Sequence, residues 1–297
     1  MGNQLHLWYA MMENIIGAFV MKRTFLSRLH RNGLYYLIGA LLLLLGVPLF
    51  QFLVLIPQGY SDALAASESG HFTTYLAWIN SHAVSFIAYR IVLVIAFGLL
   101  LSLPFTLFRI IVAQEILEPG EEPEEEESAQ QKAAEEKEKE TAGEGALPDD
   151  AWRGKGYAVI AAWSGLFGII LYALGTLAGT IYTVGIAASF SLSLPDSFST
   201  FSSFFTIITN TAGGGLLALA CLFFGAVIAR RGLNLWPGIW VAFGYAALAL
   251  AALFSGSAVA TANSPLGGQA ALTTAAILGF ALWVLWLGVM LVRLRPE

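Results

Sequence analysis

The sequence predicts an all-α protein, a polytopic membrane bundle of six transmembrane helices with both termini cytoplasmic. Three observations lead there. Of 297 residues, 57% are hydrophobic and 12% charged, whereas a soluble domain is about 45–50% apolar. The apolar residues fall in charge-free runs long enough for the roughly 20 helical residues that cross a hydrocarbon core. Lys and Arg cluster in alternate connections, and short loops rich in them stay cytoplasmic.

The first run is Leu34 to Ile56, and the second, Ile91 to Phe108, is bounded by Arg90 and Arg109. Tyr157 to about Gly185 is a third, rich in Gly and aromatic residues, and Phe201 to Ala229 a fourth. No residue from Gly232 to Val292 is charged, which is too long for one crossing. The polar, breaker-rich TANSPLGGQ at Thr261 to Gln269 divides it into helices at Leu235 to Gly256 and Ala270 to Val292. Six crossings place fourteen of the 15 basic residues on one side, with Arg90 the exception. Five or seven would break that alternation. Six of the eight Trp (152, 163, 236, 240, 283 and 286) then map to the cytoplasmic half, as an aromatic belt would.

The expected organisation has four parts. Residues 1–33 form a cytoplasmic or interfacial segment whose Trp8, Met11, Met12, Ile15 and Phe19 recur at helical spacing. Met21 opens MKRTFLSRLHRNG, an equally ordinary beginning, so either Met1 or Met21 suits as the start. The apolar run that follows is too long for a cleaved signal and reads as an anchor. Residues 34–108 are a two-helix unit, 109–156 an acidic disordered linker, and 157–297 a four-helix unit. Glu115 to Asp150 holds fifteen Asp or Glu against three Lys, a net of −12 in a chain of net −5, leaving +7 for the remainder. With no apolar face to bury, this stretch is a self-repelling spacer or a docking tail for a basic protein partner.

Chemistry inside the membrane is sparse. Charge there is expensive and marks function, yet helices three to six carry no ionisable side chain except the thiol of Cys221 and tyrosines. That argues against proton relays and against haem or zinc ligation in the bundle. The four His lie outside the helices without i, i+4 pairing, so no metal and no cofactor is expected. FSGSA at Phe254 to Ala258 has no His after residue 82 to act as its base, which rules out an intramembrane serine protease. Eighteen residues separate Arg90 from Arg109, about 27 Å along a helix. Arg90 either snorkels to headgroups or pairs with Asp62 or Glu68, or it lines an outward-facing polar pocket for an anion or lipid head with Gln51, Asn210, Thr206 and Thr209. Ser164, Gly168, Gly175 and Gly179 recur at small-xxx-small intervals that let helices approach closely, within the monomer or in a homodimer. Gly213, Gly214 and Gly215 in succession are a candidate hinge or a site of tight packing.

At RLHRNGLYYLIGALLLLLG, AYRIVLVIAFGLLL and FFGAVIARRGLNLWPGIWVAFGYAALAL the chain resembles a family of bacterial six-helix integral membrane proteins of uncharacterised function. The residues carrying the likeness are Arg31 and Gly33, Tyr89 and Arg90, and Gly225, Arg230, Pro237 and Gly238. It covers most of residues 25 to 292 apart from the acidic insert, and it implies architecture without catalytic residues. The expected function is that of a non-enzymatic accessory, interaction or regulatory component of the cytoplasmic membrane. A small-molecule or lipid transporter built around Arg90 is the alternative, and a membrane enzyme the least favoured class. The expected partners are the lipid bilayer, a protein docking on the linker, and a second copy; nucleic acid is not among them.

Overall fold

A computed structural model describes residues 27–117, 149–189, 197–265 and 270–293. The segment before residue 27 and the Glu-rich stretch 118–148 lie outside the described residues, as do the readings made of them. Every described element is helical, and six helices are long and apolar enough to span a membrane.

Helix α1 runs Ser27–Gln58. Its buried Leu29, Tyr36, Ala40 and Leu43 fall on one face. It begins seven residues before Leu34, because Arg28 and Arg31 end an apolar run without ending a helix; their stems lie along the surface and their heads reach water. Pro48 offers no N–H to the turn before it, and π turns at Leu42–Gly46 and Gln51–Leu55 flank it, so the helix widens instead of breaking.

The stretch 57–89, expected as a connection, folds into a helical hairpin. Gly59 (φ 84°) turns the chain into α2, Tyr60–Glu68, and Gly70 (φ 84°) turns it again into α3, Phe72–Ser81. Both positions need the left-handed backbone that glycine adopts without strain. The second turn is closed by the His71 N–H donating to Ala66 O at 2.8 Å.

The second span is two helices, α4 at Ala83–Leu99 and α5 at Leu103–Leu117. Pro104 causes the interruption, since it has no N–H for the Leu100 carbonyl, which instead takes the Leu103 N–H at 2.9 Å. Side chains from α1 fill the gap. Tyr36 Oη lies 2.9 Å from Ser102 Oγ and 2.7 Å from Thr106 Oγ1, and Asn32 Nδ2 donates to Thr106 Oγ1 at 3.0 Å.

Three further spans follow the third, α6, which is Asp149–Ser189. They are α7 at Phe198–Arg230, α8 at Gly238–Asn263 and α9 at Ala270–Val292. Arg109–Leu117 and Asp149–Gly156 are therefore helical, which trims both ends of the expected linker. Consecutive spans pack side by side and α9 closes against α1, so the six form a ring in sequence order. The α7–α8 contact is tight: a Cβ on Gly225 would stand 2.8 Å from Gly244 O, so only glycine lets the backbones meet.

The centre of the ring is filled by stacked rings. Tyr172 stacks on Phe97 (4.4 Å), Phe97 faces Phe280 (6.3 Å), Phe280 faces Trp283 (6.0 Å), and Trp283 stacks on Phe243 (4.5 Å). Trp240 and Trp236 continue the column, with centroids 5.6 and 5.4 Å apart in turn. Trp236 and Trp283 are 2% and 3% exposed and so belong to the core, whereas Trp163, at 49%, keeps the outward position of a belt residue. The apolar contacts available inside the ring outweigh an interfacial seat for those two indoles.

Candidate functional site

Arg90 sits in α4 on the stripe Phe86, Arg90, Leu93, Phe97, whose other three members are buried. Helical register therefore turns the one charged residue of this stripe into the bundle. It stands seven residues past Ala83, about 10 Å below the start of the helix.

The hairpin α2–α3 lies over it, held by its own aromatic cluster. Trp78 Nε1 donates to Gln58 O at 2.6 Å, fastening α3 to the end of α1. Tyr60 packs on Trp78 at 5.0 Å, His82 stacks on the same indole at 5.0 Å, and Phe72 meets Phe198 of α7 edge-on at 5.4 Å. Leu55, Leu76, Phe86 and Ala187 complete a second core, separate from that of the ring.

Around the guanidinium the neighbours are aromatic. Its carbon lies 5.2 Å from the Phe86 ring centroid and 5.7 Å from that of Tyr89, distances at which a ring attracts a cation. Tyr60 of α2, Tyr75 of α3 and Tyr172 of α6 lie close enough to act on its charge, and Tyr60 also packs on Tyr89 with centroids 6.5 Å apart. Among the described residues Nε has no hydrogen-bond partner, and it is sealed from solvent. Among the described residues, none of the groups acting on Arg90 is a carboxylate. Asp62 and Glu68, the expected partners, are both exposed on the hairpin, and neither is among the groups that act on Arg90, which is itself half-buried.

The tyrosines do not cancel the charge. Burial pushes the Tyr60 phenol well above its ordinary range, and burial raises Tyr75 as well, although Arg90 beside it works in the other direction. Both hydroxyls stay protonated at neutral pH, so the cluster carries the full charge of one arginine.

The other polar residues singled out in the sequence share its level but not its direction. Gly46 lies opposite Val92, and Phe50 is 6.4 Å from Tyr89, which places Gln51 beside Arg90 on the next helix. Thr209 lies against Gly175 on α6, near Tyr172, and that sets Asn210 at the same height. Thr206 and Thr209, however, donate to the carbonyls of Ser202 and Phe205 at 2.9 and 2.8 Å in their own helix. Gln51 and Asn210 are half-buried, and among the described residues no hydrogen bond joins either to Arg90. The structure therefore brings tyrosines to the arginine and leaves the four amide and hydroxyl residues on neighbouring faces.

Of the small residues on α6, Ser164 is buried, and Gly168, Gly175 and Gly179 face α7. A Cβ on Gly168 would stand 2.9 Å from the Leu217 nitrogen, and one on Gly179 would stand 3.3 Å from Phe205 Cβ. Helix α7 continues through the glycine triplet: a π turn at Ile207–Gly213 ends there, Gly213 abuts the Tyr172 backbone, Gly214 approaches Phe254, and Gly215 meets open space. Among the described residues no three His, Cys, Asp or Glu side chains gather as metal ligands.

Sequence reasoning missed Tyr60, Tyr75 and Tyr172 as neighbours of Arg90. The first two lie in the stretch read as a loop, where helical spacing of Tyr75 and Ile79 was the available sign. Tyr172 is one of many aromatic residues in a long apolar helix, and nothing local marks it.

The chain matches no family model, no curated protein and no solved structure.

Proposed function

We propose that the protein is a non-enzymatic integral component of the cytoplasmic membrane, with an accessory or regulatory role exercised through its surfaces. The observation that supports this reading is the column of rings from Tyr172 to Trp236 along the axis of the helix ring. A transport path would run where these rings stack. The distribution of basic residues supports an arrangement with both termini and the Glu-rich connection in the cytosol, which makes that connection the natural place for a protein partner. Co-purification in detergent, comparing the full chain with one lacking Glu118 to Glu144, tests the role. Loss of a specific companion protein from the shortened chain supports it, and an identical set of companions counts against it.

Arg90 favours a second reading, a transporter of a small molecule or lipid. It requires the aromatic column to part during a cycle; a parent protein that moves no substrate in vesicles would rule it out, and an Arg90→Gln protein that moves substrate as well as the parent would remove Arg90 from the path.

A further inference from the structure

Arg90 combines three features that do not ordinarily coexist. The side chain is half-buried on a stripe whose other members are buried, its Nε–H is sealed with no partner among the described residues, and the groups around it are neutral rings and phenols. A cation removed from water without a counter-charge is expensive, and membrane proteins offset such groups with an acid or a bound ion. Ring contacts at 5.2 and 5.7 Å recover part of that cost, but a ring face does not satisfy every in-plane N–H of a five-donor guanidinium.

What surrounds the cation is suited to an anion. Tyr60, Tyr75 and Tyr172 come from three elements, α2, α3 and α6, so their phenols approach from different sides. Each phenol can donate one hydrogen bond, and the arginine fork can donate two in parallel. Donors arriving from several directions fit a tetrahedral oxyanion better than a planar carboxylate. The position, about 10 Å below the start of α4 and beneath the hairpin, lies within reach of a lipid phosphate group as well as of solutes entering at that end.

We propose that Arg90, with the hydroxyls of Tyr60, Tyr75 and Tyr172, binds a phosphoryl oxyanion beneath the α2–α3 hairpin. The anion is either the phosphodiester of an anionic lipid or a free phosphate. The inference depends on neither functional reading above, since a bundle that transports nothing can hold a structural anion.

The test uses the full chain in nanodiscs at constant ionic strength, followed by thermal unfolding. One arm adds inorganic phosphate to discs of phosphatidylcholine; the other replaces part of that lipid with phosphatidylglycerol. The parent protein and Arg109→Gln, whose arginine is exposed, are expected to gain thermal stability in at least one arm. Arg90→Gln is expected to lose that gain and to be at least as stable as the parent in phosphatidylcholine alone. Tyr75→Phe, which keeps the ring and deletes the hydroxyl, is expected to need about tenfold more phosphate or anionic lipid for the same gain. A gain confined to the phosphatidylglycerol arm identifies the lipid, and one with inorganic phosphate identifies the free anion. No gain in the parent, or an equal gain in Arg90→Gln, overturns the proposal. So does an Arg90→Gln protein that fails to fold while Tyr75→Phe responds like the parent, because Arg90 would then be a packing residue.

Discussion

Two polar regions lie on the same helical span, and they are finished differently. At the Pro104 break, Thr106 gives its one hydroxyl proton to Ser102 O at 3.0 Å, so Tyr36 must be the donor in their 2.7 Å contact and Ser102 Oγ the donor to Tyr36. Asn32 Nδ2 takes the last acceptor position of Thr106 at 3.0 Å. Each hydroxyl proton in that circuit has an acceptor, every member is neutral, and the gap left by the proline is closed from within. Midway along α4, Arg90 brings a full charge and five donors to a shell of phenols, and one buried donor is left over among the described residues. A self-completed network explains a fold, whereas an incomplete one points beyond the chain.

Phe97 lies between the two regions on α4 as part of the aromatic column, and its removal has the largest expected effect. Phe97 stacks between Tyr172 and Phe280 and is fully buried, so Phe97→Ala should cost about 3–5 kcal/mol. Denaturant unfolding in detergent measures it; a loss under about 1 kcal/mol would mean that the column contributes little to holding the bundle together. The next effect is at the closed network. Thr106→Val keeps the shape but strands donors on Tyr36 and Asn32, for an expected loss of about 1–2 kcal/mol. If the valine protein were as stable as the parent, the contrast between complete and incomplete networks would lose its first member. The smallest effect is at the hairpin and appears only in alkali. Folding holds the Tyr60 and Tyr75 protons to higher pH than the unfolded chain does. Above about pH 10, where unfolded tyrosines ionise, the unfolded state binds fewer protons and stability declines as pH rises. Below that pH these two groups contribute no slope. Unfolding followed from neutral pH upward checks this, and a decline in Tyr60→Phe matching the parent's would remove Tyr60 from the account.

Much of the architecture was legible in the residues. Charge-free runs such as Ile91 to Phe108 must satisfy their backbone internally and therefore become helices, and the TANSPLGGQ interruption separates the last two. Depth was legible too, because rise per residue converts Arg90, Gln51 and Asn210 into positions along the span. Three features were obscured. The hairpin lacks a long apolar run and is held by Trp78 bonding to Gln58 O, a contact across 20 residues. The Pro104 break lies inside an apolar run, and run length carries no sign of it. The ends of α1 and α5 extend past charged residues because helical hydrogen bonding continues where the lipid stops.

Taken alone, the order of residues determined how many times the chain crosses and at what height each polar group lies, since both follow from local hydrogen bonding and helix geometry. Which way each group faces was decided by tertiary structure. Thr209 and Arg90 share a level, yet the hydroxyl can satisfy itself on its own helix and the guanidinium cannot. The partners of Arg90 had to come from α2, α3 and α6, and only the closed ring of helices with its hairpin brings those elements to one place.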